Sequence, residues 1–176
     1  MEGRLEDSLP VTRHASFAPV VDARTHTLIL GSLPGAASLA AGRYYAHPRN
    51  QFWRLLGAVL EVELVPLAYS DRIEQIRCCG IGLWDVIADA EREGSLDAAI
   101  RAPAANDLTS LIGDLPDLKT IAFNGGTAAK IGRAQLGARA AAYAIVRLPS
   151  SSPAHPVPFA RKLEAWQAIK STSVTG

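Results

Sequence analysis

The sequence predicts an α/β protein: a three-layer α/β/α sandwich around a central, mainly parallel four-stranded sheet. Three observations predict it. Four short apolar runs, bounded by turn-forming or polar residues, are spaced along the chain as buried strands. Segments with apolar residues at helical spacing separate them. Strands that alternate with helices need crossover connections, and these give a parallel sheet covered on both faces.

The elements follow in order. Residues 1–16 lack periodicity and are expected to be a flexible N-terminus, with a single domain over 17–176. Thr27 to Ser32 reads as a buried strand closed by Gly31 and Pro34. Leu33 to Arg49 reads as a long loop, and long loops in compact domains are usually functional. Asn50 to Leu60 reads as a helix, with Phe52, Leu55, Leu56 and Val59 on its core face and Trp53 beside them. Ser70 is placed to cap a helix over Asp71 to Cys79 that Gly80 stops. Ile81 to Ile87 is the second strand. Asp89 to Ala105 is mixed, with a short helix after Ser95. Asn106 is placed to cap a helix through Ile112. Leu118 to Phe123 is the third strand, and Asn124-Gly125-Gly126 turns the chain into a helix near Thr127. Tyr143 to Leu148 is the fourth strand. A Ser/Pro-rich loop over Pro149 to Pro158 leads to a closing helix, Phe159 to Ile169.

Composition narrows the function. Apolar residues make up 48% and charged residues 20%, as in an ordinary globular protein. No apolar run approaches the roughly 18 residues of a membrane span, and the polar start does not resemble a signal peptide. A net charge of +1 argues against a protein that coats nucleic acid by charge alone, while leaving room for a local basic patch. Cys78 and Cys79 are the only cysteines, and two neighbours cannot supply a four-cysteine metal site. They read as buried reduced thiols at a helix end, which with the absent export signal predicts a cytoplasmic protein. No metal or other cofactor is expected.

The most informative stretch is YYAHPRNQFW, Tyr44 to Trp53. It packs rings suited to stacking, a His, an Arg and an Asn around one proline. A core helix would not tolerate that mixture, whereas a loop gripping a flat, polar, aromatic ligand would use it. It follows a strand and a tight Gly/Pro loop, Gly31-Ser32-Leu33-Pro34-Gly35, at the carboxyl edge where α/β proteins build sites. Asn50 both donates and accepts hydrogen bonds, so it can orient water or hold a ligand edge without ionising; it can equally cap the following helix. His47 can donate to a ligand or brace its own loop. Arg49 can meet phosphate or stay solvated. Asp85, at a strand end, can position water or balance positive charge; a capping or solvated role is as open. Ser150, Ser151, Ser152, Pro153, Ala154 and His155 follow the last strand, where hydroxyls and N–H groups can grip phosphates. Asn124-Gly125-Gly126-Thr127 lacks the spacing and lysine of a phosphate loop and reads as structural.

GSLPGAASL, YYAHPRNQFW, LWDV and LPSSSPAH, in that order, resemble the uracil-DNA glycosylase superfamily. The resemblance runs from about Leu28 to Trp166 and is closest to the hypoxanthine (deoxyinosine) DNA glycosylases, near the mismatch-specific uracil/thymine glycosylases. It implies a monofunctional DNA glycosylase of base-excision repair. Such an enzyme acts on single- or double-stranded DNA containing a deaminated base: hypoxanthine first, uracil in mismatches second; a monomer is expected. Gly31 to Gly35, Tyr45 and His47 would hold the flipped base, with Tyr45 as the stacking platform. Asn50 would be catalytic, matching the asparagine of HPRN, and Asp85 would assist. Arg49 and Ser150 to His155 would contact DNA, with Ala154 where relatives carry a larger wedge. One departure stands out. The superfamily often places a catalytic Asp or Asn two residues after the first glycine of its leading motif, and here that position is Leu33. A non-catalytic nucleic-acid binder and a hydrolase of free nucleosides or nucleotides therefore stay open as alternatives.

Overall fold

The computed structural model of the protein describes residues 12–172. Its strands and helices run β1 (Arg13–Ala15), β2 (Thr27–Gly31), α1 (Ala36–Ala41), α2 (Phe52–Leu60), α3 (Tyr69–Cys78), β3 (Ile81–Asp85), β4 (Ile87–Glu91), β5 (Arg101–Ala105), α4 (Leu108–Gly113), β6 (Thr120–Asn124), α5 (Gly126–Leu136), β7 (Ala144–Leu148), α6 (Phe159–Trp166) and α7 (Ala168–Thr172).

The four predicted strands form one sheet in the order β3-β2-β6-β7, and all its pairings are parallel. Side chains alternate across β2 because successive residues of a strand face opposite ways. Leu28 and Leu30 enter one core with α4 and α5. Ile29 enters the other, against Phe52, Leu55 and Leu56 of α2, Ile76 of α3, Trp166 and Ile169. Two cores on two faces make the three-layer sandwich that the sequence predicts.

The structure differs from the sequence reading in several places. A second sheet, β1-β4-β5, is antiparallel and was not anticipated. Most of the expected flexible N-terminus lies outside the described residues, but Arg13 to Ala15 pairs with β4, and Arg13 bridges to Asp89. The strand expected over Ile81 to Ile87 ends at Asp85, and the chain turns into β4. The loop before Arg49 contains α1, closed by Gly42 in the left-handed conformation. The closing helix is divided into α6 and α7. Two expected caps move by a residue or more. Helix α3 starts after Ala68 without a side-chain cap, so Ser70 lies inside it. Asp107, not Asn106, caps α4 by accepting from the Ser110 N–H at 2.9 Å. Asn106 instead donates to the carbonyls of Asp85 and Ile87, at 2.8 and 3.2 Å, and so ties the β3–β4 turn. Cys79 is half-buried as expected of a helix-end thiol, but Cys78 is exposed.

Candidate active site

The carboxyl ends of β2, β3, β6 and β7 converge on a cleft of about 540 Å³. Every sequence-predicted site residue borders it: Gly31 to Gly35 after β2, the loop residues Tyr45, His47, Arg49 and Asn50, Asp85 ending β3, and Ser150 to His155 after β7. Register brings the first pair together, because Gly31 and Asp85 are partners across β2 and β3.

Gly31 is needed for close approach. A Cβ there would lie 2.7 Å from Asp85 Oδ1 and 3.1 Å from the Tyr45 hydroxyl, so both groups converge over the bare α-carbon. Asp85 is 3% exposed. Burial is the main cause that pushes its carboxyl up to about 7; the nearby Asp97 charge acts the same way, while Ser16 and Arg92 oppose it. Ser16 Oγ donates to Asp85 Oδ2 at 2.7 Å.

Tyr45 has a positive φ of 54°, an unusual backbone state for a side chain of its size. Its ring lies parallel to Phe52, centroids 3.7 Å apart, and its hydroxyl bonds the Asn124 side chain. Burial, then the Asp85 charge, raises the phenol pKa and keeps it protonated. Tyr44 is buried in the cleft wall, with its hydroxyl donating to the Ala18 carbonyl at 3.1 Å. Phe52 and Trp53 are core residues, as their helical positions predict.

The turn at Pro48 orders the polar residues. His47 Nδ1 accepts from the Arg49 N–H at 3.0 Å, which puts the ring proton on Nε2. Asn50 Oδ1 accepts from the Phe52 N–H at 3.0 Å, fastening the start of α2. This leaves the Asn50 Nδ2 hydrogens as donors at the cleft. Arg49 is exposed.

The Ser/Pro loop is fastened from three sides. Asn124 clamps Ser151 twice: Nδ2 donates to Ser151 Oγ and Oδ1 accepts from its N–H, both at 2.9 Å. The Gln51 N–H donates to the Ser151 carbonyl at 3.0 Å, joining this loop to the Tyr45–Asn50 loop. Lys162 is 1% exposed and donates through Nζ to the Ser152 carbonyl at 3.2 Å; burial lowers its pKa. Ser151 is 0% exposed, with its N–H, hydroxyl oxygen and carbonyl all bonded inside the protein, so it shapes the loop. Ser150 and Ser152 are half-buried, and Pro153, Ala154 and His155 are exposed at the rim.

Leu33 is 6% exposed and joins the core cluster of Leu28, Leu30 and Val86. Arg92, buried beyond the end of β4, donates to the carbonyls of Leu33 and Pro34 and holds the loop from behind. Ser32 Oγ donates to Asp97 at 2.7 Å.

Ser16, Arg92, Asp97 and Asn124 are site residues that sequence reasoning missed. Asn124 carried a signal: it is a polar residue at the carboxyl end of a buried parallel strand. Arg92 and Asp97 lie in the mixed segment, and Ser16 lies in the segment without periodicity, so none of the three had one.

The model of the uracil DNA glycosylase superfamily matches residues 18–170. A hypoxanthine DNA glycosylase of Methanosarcina barkeri is 39% identical over 150 residues, covering 85% of this chain and 93% of that protein. A hypoxanthine DNA glycosylase of Methanosarcina acetivorans is 37% identical over 153 residues, covering 87% and 95%. Among solved structures, the solution NMR structure of a uracil DNA glycosylase candidate from Methanosarcina acetivorans superposes with a TM-score of 0.81 at 35% identity, covering 92% of this chain and 99% of that one.

Proposed function

The chain belongs to the uracil DNA glycosylase superfamily, and from that premise we propose that it is a hypoxanthine DNA glycosylase, a hydrolase that cuts the N-glycosidic bond of deaminated purine in DNA. Uracil in mismatches is the second substrate. The observation that carries this reading is the convergence of Tyr45, His47, Asn50 and Asp85 on one cleft floored by Gly31. The likeness to two hypoxanthine DNA glycosylases supports the choice of base.

The target nucleotide leaves the duplex, because its glycosidic bond is out of reach inside the stack. The base lies against the Tyr45 face opposite Phe52. Nδ2–H of Asn50 and Nε2–H of His47 donate to its polar edge as the C1′–N9 electron pair moves into the purine. These donors stabilise charge that develops as the bond breaks, which is where fixed dipoles contribute most. The ionised Asp85 balances the oxocarbenium character of the sugar. Water supplies hydroxyl to C1′ and a proton to the departing base, so the products are hypoxanthine and an abasic site. Leu33 takes no polar part, and Asn50 serves from the second motif instead.

A duplex carrying a single inosine tests the proposal. Alkali-labile strand breaks at the inosine, with release of free hypoxanthine, are expected. Tight binding without abasic product would favour a non-catalytic binder, and turnover of free inosine alone would favour a nucleoside hydrolase.

A further inference from the structure

Behind the Tyr45–Asn50 loop lies a second, larger cavity, of about 880 Å³. The two cavities share a wall: Tyr44, Tyr45, His47, Arg49 and Asn50 border both. Its charge is one-sided. Arg43, Arg49, Arg54 and Arg72 line it, and among the described residues no aspartate or glutamate does. None of the four takes part in the ion pairs found among the described residues. In a chain of net charge +1, this is a local concentration of unneutralised cations.

The arginines are held in place by rings and carbonyls. Arg43 lies over Tyr69 at 5.7 Å, Arg72 over Trp53 at 5.5 Å and Arg54 over Phe159 at 3.8 Å. Arg72 also donates to the carbonyls of Leu67 and Val65, at 3.0 and 2.6 Å. The Trp53 and Tyr69 rings at this cavity thus each have a guanidinium across a face, which leaves little room for a nucleobase to stack there. The cavity offers charge and directed N–H groups, the pattern that recognises phosphate rather than bases.

We propose that this second cavity is a phosphodiester site, which takes the sugar–phosphate backbone of the strand flanking the flipped nucleotide. The proposal rests on the glycosylase reading for the identity of its ligand. The shared wall gives the route: a strand whose nucleotide enters the first cavity passes over Arg49 into the second. Binding here is independent of sequence, because no base is read.

The test uses Arg43→Gln with Arg54→Gln, two exposed residues outside the catalytic cleft. A control variant, Lys119→Gln with Arg139→Gln, removes the same charge near the starts of β6 and β7, at the opposite edge of the sheet. Affinity for undamaged duplex is measured against salt concentration, with a melting curve for each protein. Each lost phosphate contact lowers the slope of log K against log salt by about 0.9. The test variant is expected to lose about twice that and the control almost nothing, while single-turnover excision at saturating DNA stays within twofold of wild type. Neutral methylphosphonate linkages beside the inosine should weaken wild-type binding and leave the test variant little changed. An unchanged slope in a folded test variant, or an equal fall in the control, overturns the site. Failure of the glycosylase reading is separate: wild type would then release no hypoxanthine, whatever the salt slopes are.

Discussion

Ser16 and Asp85 are 69 residues apart, yet the serine hydroxyl donates to the carboxylate at 2.7 Å. A hydrogen bond to the ionised form favours ionisation, so this bond opposes the burial that pushes Asp85 up to about 7. If the carboxylate is the working form, excision rises with pH through about 7. Ser16→Ala removes the opposing bond. We predict that the midpoint of kcat/KM against pH moves upward by roughly one unit, since hydrogen bonds to charged groups are worth about 1.5–3 kcal/mol. A downward or absent shift in the pH–rate profile would refute the role of Ser16.

The same group sets a stability prediction. Asp85 binds its proton more tightly in the folded state than in the unfolded one. Its contribution is therefore fully present below the unfolded value near 4 and is lost as pH rises through about 7, to the order of 4 kcal/mol. Asp85→Asn should raise the melting temperature at pH 8 and abolish most excision. Melting curves from pH 4 to 8 check it: the advantage of the variant should grow across that window.

Asn50 has two tasks that one substitution can separate. Its Oδ1 fastens α2 through the Phe52 N–H, and its Nδ2 is left for the cleft. Asn50→Ala loses both, with about 1 kcal/mol of stability from the lost hydrogen bond to the Phe52 N–H. Asn50→Asp keeps the acceptor and removes the donor. We predict that both variants lose at least a hundredfold in single-turnover excision, and that only the alanine variant melts earlier. An aspartate variant that excises at the normal rate would remove Asn50 from the chemistry.

Tyr45→Ala should lower excision by about tenfold or more, because base–aromatic stacking is worth roughly 1–3 kcal/mol. Tyr45→Phe keeps the ring and loses the hydroxyl bonded to Asn124. It should cost about 1 kcal/mol of stability and only a few-fold in rate. If the phenylalanine variant is as slow as the alanine variant, the hydroxyl and not the ring face carries the function.

Leu33→Asn places a carboxamide in the core beside Leu28, Leu30 and Val86. We predict a loss of roughly 2–4 kcal/mol in denaturant unfolding, with no gain in uracil excision. A stable variant that excises uracil faster than wild type would mean the position is a dormant catalytic one.

The four parallel strands were legible because each is a buried apolar run with clear punctuation, and burial is what periodicity reports. The second sheet was not. Strand β5 is Arg101-Ala102-Pro103-Ala104-Ala105, exposed throughout, with a proline and with a positive φ at Ala102. Proline is confined to edges and bulges in sheets, so such a segment reads as loop. Strand β1 is three residues long. The site divides the same way. Most of its cleft-lining residues sit in motifs, but Asp97 comes from the mixed segment, and Ser16 and Arg92 act from behind, on Asp85 and on the carbonyls of Leu33 and Pro34. Those contacts are products of tertiary folding, which no local pattern encodes.

The double clamp of Asn124 on Ser151 ties the loop after β7 to the end of β6, and the Gln51 N–H on the same residue ties it to the loop before α2, so the site is organised by bonds inside the protein. A preorganised receptor does not bend to meet its ligand, so the distortion falls on the DNA. The enzyme then selects nucleotides that already leave the helix cheaply, and excision of one base should quicken as its opposing partner pairs with it less well.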